Sequence, residues 1–252
     1  VVNFVGAGPG AVDLITVRGK ALIESADVII YAGSLVNPML LSYAKKDCVI
    51  HDSAYMTLDE VMELMINSVK SGLEVVRLHT GEPSIYGAVR EQMDILDREG
   101  IEYASCPGVS ACFGAASSMN LEYTLPDVSQ TLIITRMAGR TPVPEAESIE
   151  GLASHGASMA IYLSTGMLEE LSDRLIKGGL SEDTPAALIY KATWPEEKIC
   201  RCTVGTLAVT AKENDIKKTA IVIAGDVVNT GNYSRSRLYA PDFSTEFRPA
   251  KK

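Results

Sequence analysis

Two glycine-rich runs hold the residues best suited to presenting bare backbone to a small ligand. The first is Val5-Gly6-Ala7-Gly8-Pro9-Gly10 and the second is Thr80-Gly81-Glu82-Pro83-Ser84-Ile85-Tyr86-Gly87. Each follows an apolar stretch that reads as a strand. In an open parallel sheet, ligands bind outside the carboxyl ends of the strands. Glycine lets N–H and C=O groups approach a ligand with no side chain in the way. Turns of this kind suit a small, flat, nucleoside-type molecule lying against main chain.

Gly6, Gly8 and Ala11 match the spacing G-x-G-x-x-[GA] of a dinucleotide fingerprint. Three local features oppose that reading. Pro9 has no N–H to offer a pyrophosphate. The following helix is expected to start late, near Thr16, which misplaces its N-terminal dipole. An acidic residue is missing after the second strand, since Asp27 precedes Val28-Ile29-Ile30-Tyr31 and Ala32-Gly33-Ser34 follows it. A nicotinamide-dependent oxidoreductase therefore ranks below another nucleoside-type ligand, and a tight structural turn stays open for any glycine.

No nucleophile with its base stands out. The five cysteines, Cys48, Cys106, Cys112, Cys200 and Cys202, lack zinc-ligand spacing. They read as reduced packing residues, so no metal site is expected. The histidines His51, His79 and His155 are scattered, and His79, beside the second turn, reads as a hydrogen-bonded wall residue. A net charge of −9 disfavours general nucleic-acid binding. It leaves room for an anionic small molecule held by a few focused Arg or Lys.

The elements that must position these residues fall into two sets. At 252 residues the chain is long enough for one large or two small domains, with 46% hydrophobic and 22% charged residues. No apolar run is long enough to span a bilayer. Val1-Val2-Asn3-Phe4 reads as a strand rather than a signal peptide, and the cytoplasm is the expected location. Strands are predicted at Asn3–Gly6, Val28–Tyr31, Cys48–His51, Glu74–Leu78 and Glu102–Ser105. Helices are predicted at Thr57–Val69, opened by a Thr57/Glu60 capping box, and at Ile85–Arg98. Gly72 and Gly100 fall where those helices should stop. This alternation predicts a parallel sheet with helices on its faces. After Pro107-Gly108-Val109-Ser110-Ala111 and a small-residue helix at Ala111–Ser118, the pattern changes. Strands at Thr131–Arg136, Ser158–Leu163, Ala186–Tyr190, Lys198–Val204 and Thr219–Ala224 suggest a more mixed sheet. The expected organisation is an α/β domain over 1–119, a second over 120–232, and an extension over 233–252.

Four motifs occur in one order: the loop ending Gly8-Pro9-Gly10, the Gly81–Gly87 turn, Pro107–Ala111, and Ala192-Thr193-Trp194-Pro195. Together, over roughly residues 1–240, they resemble the tetrapyrrole methylases. Asp27–Val36, Val76–Gly81, Val128–Thr131, Thr135–Pro144 and Ser236–Tyr239 are similar to the branch that methylates precorrin intermediates of cobalamin formation. The family usually has Asp where this chain has Glu82.

The resemblance implies two α/β domains with S-adenosylmethionine folded in a cleft between them. It also implies a homodimer and an anionic tetrapyrrole substrate. By similarity, Pro9, Thr80, Gly81, Glu82, Ile85, Ser110, Ala111, Leu163, Ala192 and Ala220 contact the cofactor. Ile85, Leu163 and Ala220 read equally well as core. A substrate with many carboxylates needs guanidinium forks. Arg136 and Arg140 in their Pro- and Gly-bearing loop come first, with a solvated surface charge as the level alternative for the pair; Arg77, Arg90 and Lys191 stand behind them, and Tyr86 is expected either at the ring face or packed against Pro83. Methyl transfer from a sulfonium needs alignment more than a nucleophile, and the sequence singles out no base. A sister methylase acting at another ring carbon or on uroporphyrinogen is the neighbouring alternative.

Overall fold

The computed structural model describes residues 1–229, 231 and 233–250. The chain divides into two units. One is Val1–Ser118 with Lys191–Glu197, and the other is Met119–Tyr190 with the chain from Lys198 onward. The sequence reading places 191–197 in the second domain. In the structure this stretch joins the first unit, because Thr193 and Trp194 hydrogen-bond the backbone at Ala11 and Pro9.

The first unit is built on five parallel strands in the order β3-β2-β4-β1-β5. They are β1 (Val2–Gly6), β2 (Val28–Tyr31), β3 (Val49–Asp52), β4 (Val75–His79) and β5 (Tyr103–Cys106). Helix α1 (Val17–Ser25) starts late, as expected, with the Thr16 hydroxyl accepting from the Gly19 amide. Helix α2 (Leu58–Lys70) carries the predicted capping box, the Thr57 amide donating to Glu60 and the Glu60 amide to Thr57.

Both α2 and α3 (Arg90–Arg98) end in Schellman turns at left-handed glycines, Gly72 and Gly100. Leu73 and Ile101 donate back to the Ser68 and Leu96 carbonyls at 3.1 and 3.0 Å. One face of the sheet packs Phe4, Ile30 and Val75 under α2 and α3, and the other packs Val5, Ile29 and Leu78 near α1.

The predicted helix over 85–98 is five residues shorter at its start, beginning at Arg90. Tyr86 and Ala88 adopt left-handed backbone, with φ 56° and 49°. That conformation disfavours helix for side-chain-bearing residues. The unit closes with α4 (Ala111–Met119), the small-residue helix that follows β5.

The second unit carries the order β6-β7-β10-β8-β9. The strands are β6 (Leu132–Arg136), β7 (Ser158–Tyr162), β8 (Pro185–Tyr190), β9 (Lys198–Thr203) and β10 (Ala220–Ala224). Only β6 and β7 run parallel; the remaining pairs are antiparallel, so the sheet is mixed as expected. Helices α5 (Ile149–Ala153), α6 (Leu168–Lys177) and α7 (Leu207–Glu213) contribute to its core through Ile149, Leu171, Leu175 and Leu207. Cys200 and Cys202 pack against that core. In the tail, Arg248 donates to the Ala240 carbonyl. No helix among the described residues is long and apolar enough to cross a membrane.

Candidate active site

Three strand ends of the first unit meet in a stack of backbone. After β1 the chain runs Ala7-Gly8-Pro9-Gly10, after β4 it runs Thr80-Gly81-Glu82, and after β5 it runs Pro107-Gly108. Gly8 and Gly81 form an isolated antiparallel bridge, with N···O distances of 3.3 and 3.0 Å. A Cβ on Gly6 would lie 2.6 Å from both Gly108 Cα and the Gly81 carbonyl oxygen, and one on Gly108 would lie 2.1 Å from that oxygen. Glycine is therefore required at Gly6 and Gly108 by close approach. At Gly81 the reason differs. Its φ is +58°, while a Cβ would meet Ser110 and Ala111 at ordinary contact distance.

Glu82 fastens this stack. One carboxylate oxygen accepts from the Gly108 amide at 2.8 Å and the other from the Ser84 amide at 3.0 Å. Burial pushes its carboxyl up, but the Ser84 and Gly108 hydrogen bonds outweigh burial, and the net shift is downward. The carboxylate form is the one that fits here.

The first turn is clamped on three sides. The Trp194 indole donates to the Pro9 carbonyl at 3.0 Å, Asn37 donates to the Gly10 carbonyl at 2.8 Å, and the Ala11 amide donates to Thr193 at 2.9 Å. Pro9 also lies against α4, where a Cβ on Gly114 would come within 2.6 Å of it. The amides of Gly8 and Ala11 are thus both spent on the protein. Pro9 offers none, and the helix dipole begins at Thr16. A pyrophosphate would find no helix terminus in this loop and, of its amides, only that of Gly10 without an acceptor among the described residues, which weakens the physical basis of the dinucleotide reading.

Beside the second turn lies a cavity of about 280 Å³ lined by Arg77, His79, Thr80, Tyr86 and Gln92, among others. Arg77 and His79 sit two apart on β4 and so project from one face. Both are buried, and His79 stacks on Phe4 with ring centroids 6.2 Å apart. Arg77 donates to Gln92 Oε1 at 3.2 Å and to the Ile30 carbonyl at 3.1 Å. Burial lowers the Arg77 pKa to about 10. Burial, and then the Arg77 charge, lower that of His79 to about 3, so His79 is neutral near pH 7.

In the second unit, Leu163 follows β7 with φ +53° and is 65% exposed. An apolar, branched side chain in the left-handed region and turned to solvent is an outlier of the kind found at functional sites. Thr165 donates to the Ala220 carbonyl at 3.1 Å. Arg136 spends its guanidinium on its own loop, donating to the carbonyls of Met137, Thr141 and Pro142 at 3.0–3.1 Å. Arg140 is exposed and makes no ion pair among the described residues.

The chain matches known proteins over most or all of its length. The family model described as Tetrapyrrole (Corrin/Porphyrin) Methylases matches residues 1–208. The chain belongs to the tetrapyrrole methylases. It is 51% identical, over 100% of its length and 97% of the relative's, to the cobalt-precorrin-4 C(11)-methyltransferase of Methanocaldococcus jannaschii. It is 40% identical to a precorrin-4 C(11)-methyltransferase of Sinorhizobium, over 98% of each chain. The solved X-ray structure of a cobalamin biosynthetic enzyme, cobalt precorrin-4 methyltransferase, superimposes with a TM-score of 0.88 at 44% identity, covering 90% of this chain and 95% of the other. The family expectation and the two-sheet α/β fold are met, and the methylase is an enzyme, a C-methyltransferase.

Within the first unit of the methylase, the expected residues Pro9, Gly81, Glu82, Ser110, Ala111 and Ala192 gather around the glycine stack, with Thr80 exposed at its edge. The Ala192 carbonyl lies 2.8 Å from where a Cβ on Gly10 would stand. Ile85 is half-buried and Tyr86 exposed in the turn that follows. Leu163, Ala220, Arg136 and Arg140 belong to the second unit. Asn37 and Gln92 were missed by sequence reasoning. Asn37 sits between two apolar segments with no motif around it. Arg77 and His79 did leave a signal, as two polar residues at period two in the apolar run Val75-Val76-Arg77-Leu78-His79.

Proposed function

We propose that the methylase transfers a methyl group from S-adenosylmethionine to ring carbon 11 of cobalt-precorrin-4 or precorrin-4, releasing S-adenosylhomocysteine, in the formation of cobalamin. The observation that carries this reading is the 51% identity, over the full chain, to a relative of that name. Relatives of both kinds, with and without cobalt in the name, match nearly the whole chain, so the reading covers both substrates. A cytoplasmic homodimer goes with it, on the strength of the resemblance.

The chain's own residues fit the cofactor. The Ala111 amide, beside the Gly81 turn, has no acceptor among the described residues, and the Thr80 hydroxyl is exposed next to it. A free main-chain donor and a hydroxyl at bare turns suit the polar edges of adenosine and the amino-acid end. Thr80, Gly81, Ser110 and Ala111 are assigned to hold it, with Pro9, Ile85 and Ala192 packing nearby and Glu82 fixing the turns. Leu163 supplies an apolar contact, which gives its exposure a reason, and Ala220 lies beside it in the assignment. S-adenosylmethionine supplies an electrophilic methyl group on a sulfonium whose departure needs no acid.

The protein's part is alignment and exclusion of water. Positioning of this kind lowers a barrier by about 7–11 kcal/mol. Glu82 contributes rigidity, since its hydrogen bonds lock two turns together before any ligand arrives. Arg140 is assigned to a substrate carboxylate. Arg136 keeps the loop that carries Arg140 in shape and offers its remaining N–H groups, and Tyr86 is assigned to the macrocycle face.

The test is calorimetric titration with S-adenosylhomocysteine and with NAD, followed by mass spectrometry of cobalt-precorrin-4 incubated with S-adenosylmethionine. Micromolar binding of the homocysteine compound alone and a one-methyl mass gain are expected. Binding of NAD alone would return the first turn to a dinucleotide role and overturn the reading.

A further inference from the structure

The cavity at the carboxyl end of β4 holds two buried polar groups with unused capacity. His79 is 5% exposed, and its Nε2 has no hydrogen-bond partner among the described residues. Buried polar atoms of this kind are rare, and each calls for a ligand, a water or a functional reason. Arg77 is 7% exposed and makes no ion pair among the described residues. Its Nε and Nη1 serve Gln92 and Ile30, while Nη2 makes no hydrogen bond among them. An arginine is almost never fully buried without a counter-charge.

The two residues lie on one face of β4 and both line the same space. At about 280 Å³ that space exceeds the needs of one or two waters. The other charged group lining it, Glu91, is exposed and does not pair with Arg77. The cavity opens on Thr80 and Tyr86, the turn assigned above to cofactor and macrocycle.

We infer that this cavity is a carboxylate subsite, in which Arg77 and His79 take one acidic side arm of the tetrapyrrole and fix which way round the macrocycle lies. The inference rests on the proposed function for the identity of the acid. The remaining guanidinium donors give the carboxylate its counter-charge. His79, neutral because it is buried beside Arg77, donates from Nε2 to the second oxygen and adds no charge that would need desolvation. Burial makes the pair selective. A charge-assisted hydrogen bond is stronger in such surroundings, and a neutral arm would leave Arg77 uncompensated. The free protein carries an unpaired buried cation that the substrate neutralises on binding.

The experiment compares wild type, Arg77→Met and His79→Phe in steady-state methylation of cobalt-precorrin-4, in S-adenosylhomocysteine calorimetry and in thermal melts. For Arg77→Met we expect KM for the macrocycle to rise at least tenfold with kcat within about threefold, the homocysteine affinity unchanged, and a melting temperature lowered only as far as loss of the bonds to Gln92 and Ile30 requires. The split between KM and kcat separates the readings, because a purely structural arginine would leave KM unchanged in the folded variant. His79→Phe is expected to raise KM severalfold.

An unchanged KM in Arg77→Met, with the wild type turning over, overturns the subsite alone. Loss of homocysteine affinity would assign the cavity to the cofactor's own carboxylate and also overturn it. Should the wild type transfer no methyl group, the proposed function itself fails. If Arg77→Met does not fold, the ring-nitrogen resonances of ¹⁵N-histidine-labelled wild type decide the matter. The His79 signal should move on adding cobalt-precorrin-4, and a still signal overturns the inference.

Discussion

The carboxylate of Glu82 accepts the Gly108 amide at 2.8 Å, so a side chain on the turn after β4 holds the backbone of the turn after β5. The same carboxylate closes its own turn through the Ser84 amide. The longer side chain, where the family usually has Asp, thus makes a two-ended brace. Replacing it by Gln sets an amide N–H₂ against one of two backbone donors and discards the charge. Glu82→Gln should lower stability by about 1–2 kcal/mol, measured as a shift in the urea midpoint at constant slope. The carboxyl is held below its ordinary value, so the stabilisation is present above the unfolded-state pKa and is lost as pH falls through the folded one. Wild type and Glu82→Gln should therefore converge in acid. A midpoint difference independent of pH would show that the brace is not electrostatic.

The glycine stack predicts an order of damage. Gly108→Ala would drive a Cβ to 2.1 Å from the Gly81 carbonyl, an atom already fixed by the bridge to Gly8. Relief needs a shift of the strand ends, which costs about 3 kcal/mol or more. Gly81→Ala has space but must hold φ at +58°, which costs about 1–2 kcal/mol. Denaturation of the two variants should rank them in that sequence. The reverse ranking would mean that the turns are looser than their close approach implies.

How far the sequence carried this picture depended on whether a signal was local. The strands of both sheets, the Thr57/Glu60 box, the stops at Gly72 and Gly100, and the late start of α1 all follow from short-range chemistry, and the structure has them. The start of α3 does not, because the turn at Tyr86 and Ala88 is held in left-handed backbone by its surroundings. Among the site residues, Gly6, Gly8, Gly81 and Gly108 were visible as types. Their mutual stacking was not, since it is a tertiary relation between strand ends about 25 to 100 positions apart. The guanidinium of Arg136 shows the same limit. Its charge was legible in the sequence, but its use on three carbonyls of its own loop was not.

That division of labour between the two loop arginines is testable. Arg136→Ala removes three hydrogen bonds that hold 137–142, and should lower stability by about 1 kcal/mol and speed proteolysis within that loop. Arg140→Ala should leave the melt within about 0.5 kcal/mol of wild type. Under the proposed function it should raise KM for the tetrapyrrole while sparing S-adenosylhomocysteine affinity. Equal melting losses in both variants would argue that Arg140 shares the structural task.

Burial of a neutral histidine beside a cation makes a pH-dependent cost. The His79 pKa in the fold is about 3, and in the unfolded chain it returns toward 6.5. Between those values the unfolded state binds the extra proton, so stability rises with pH across roughly 3–6.5 and is level above it. The slope from this one group approaches about 1.4 kcal/mol per pH unit at most. His79→Phe should flatten that part of the stability curve while leaving the region above pH 7 little changed. An unaltered slope would place the titration elsewhere.

The chain has a single tryptophan, and it sits on the first turn. Trp194 donates to the Pro9 carbonyl at 3.0 Å, and its ring occupies the space that a side chain on Gly10 would need, 2.0 Å from that Cβ position. Lys191 lies over the ring at 4.9 Å. A ligand that seats against Pro9 and Ala192 must change the surroundings of this indole. Intrinsic fluorescence should therefore change saturably with S-adenosylhomocysteine and give the same dissociation constant as calorimetry. With NAD the emission should stay flat. Trp194→Phe keeps the ring but loses the donor, leaving the buried Pro9 carbonyl unsatisfied, and should cost about 1–3 kcal/mol while weakening the cofactor through a loosened turn. Tight homocysteine binding in wild type with no change in emission would place the cofactor away from Pro9 and leave the clamp a purely structural device.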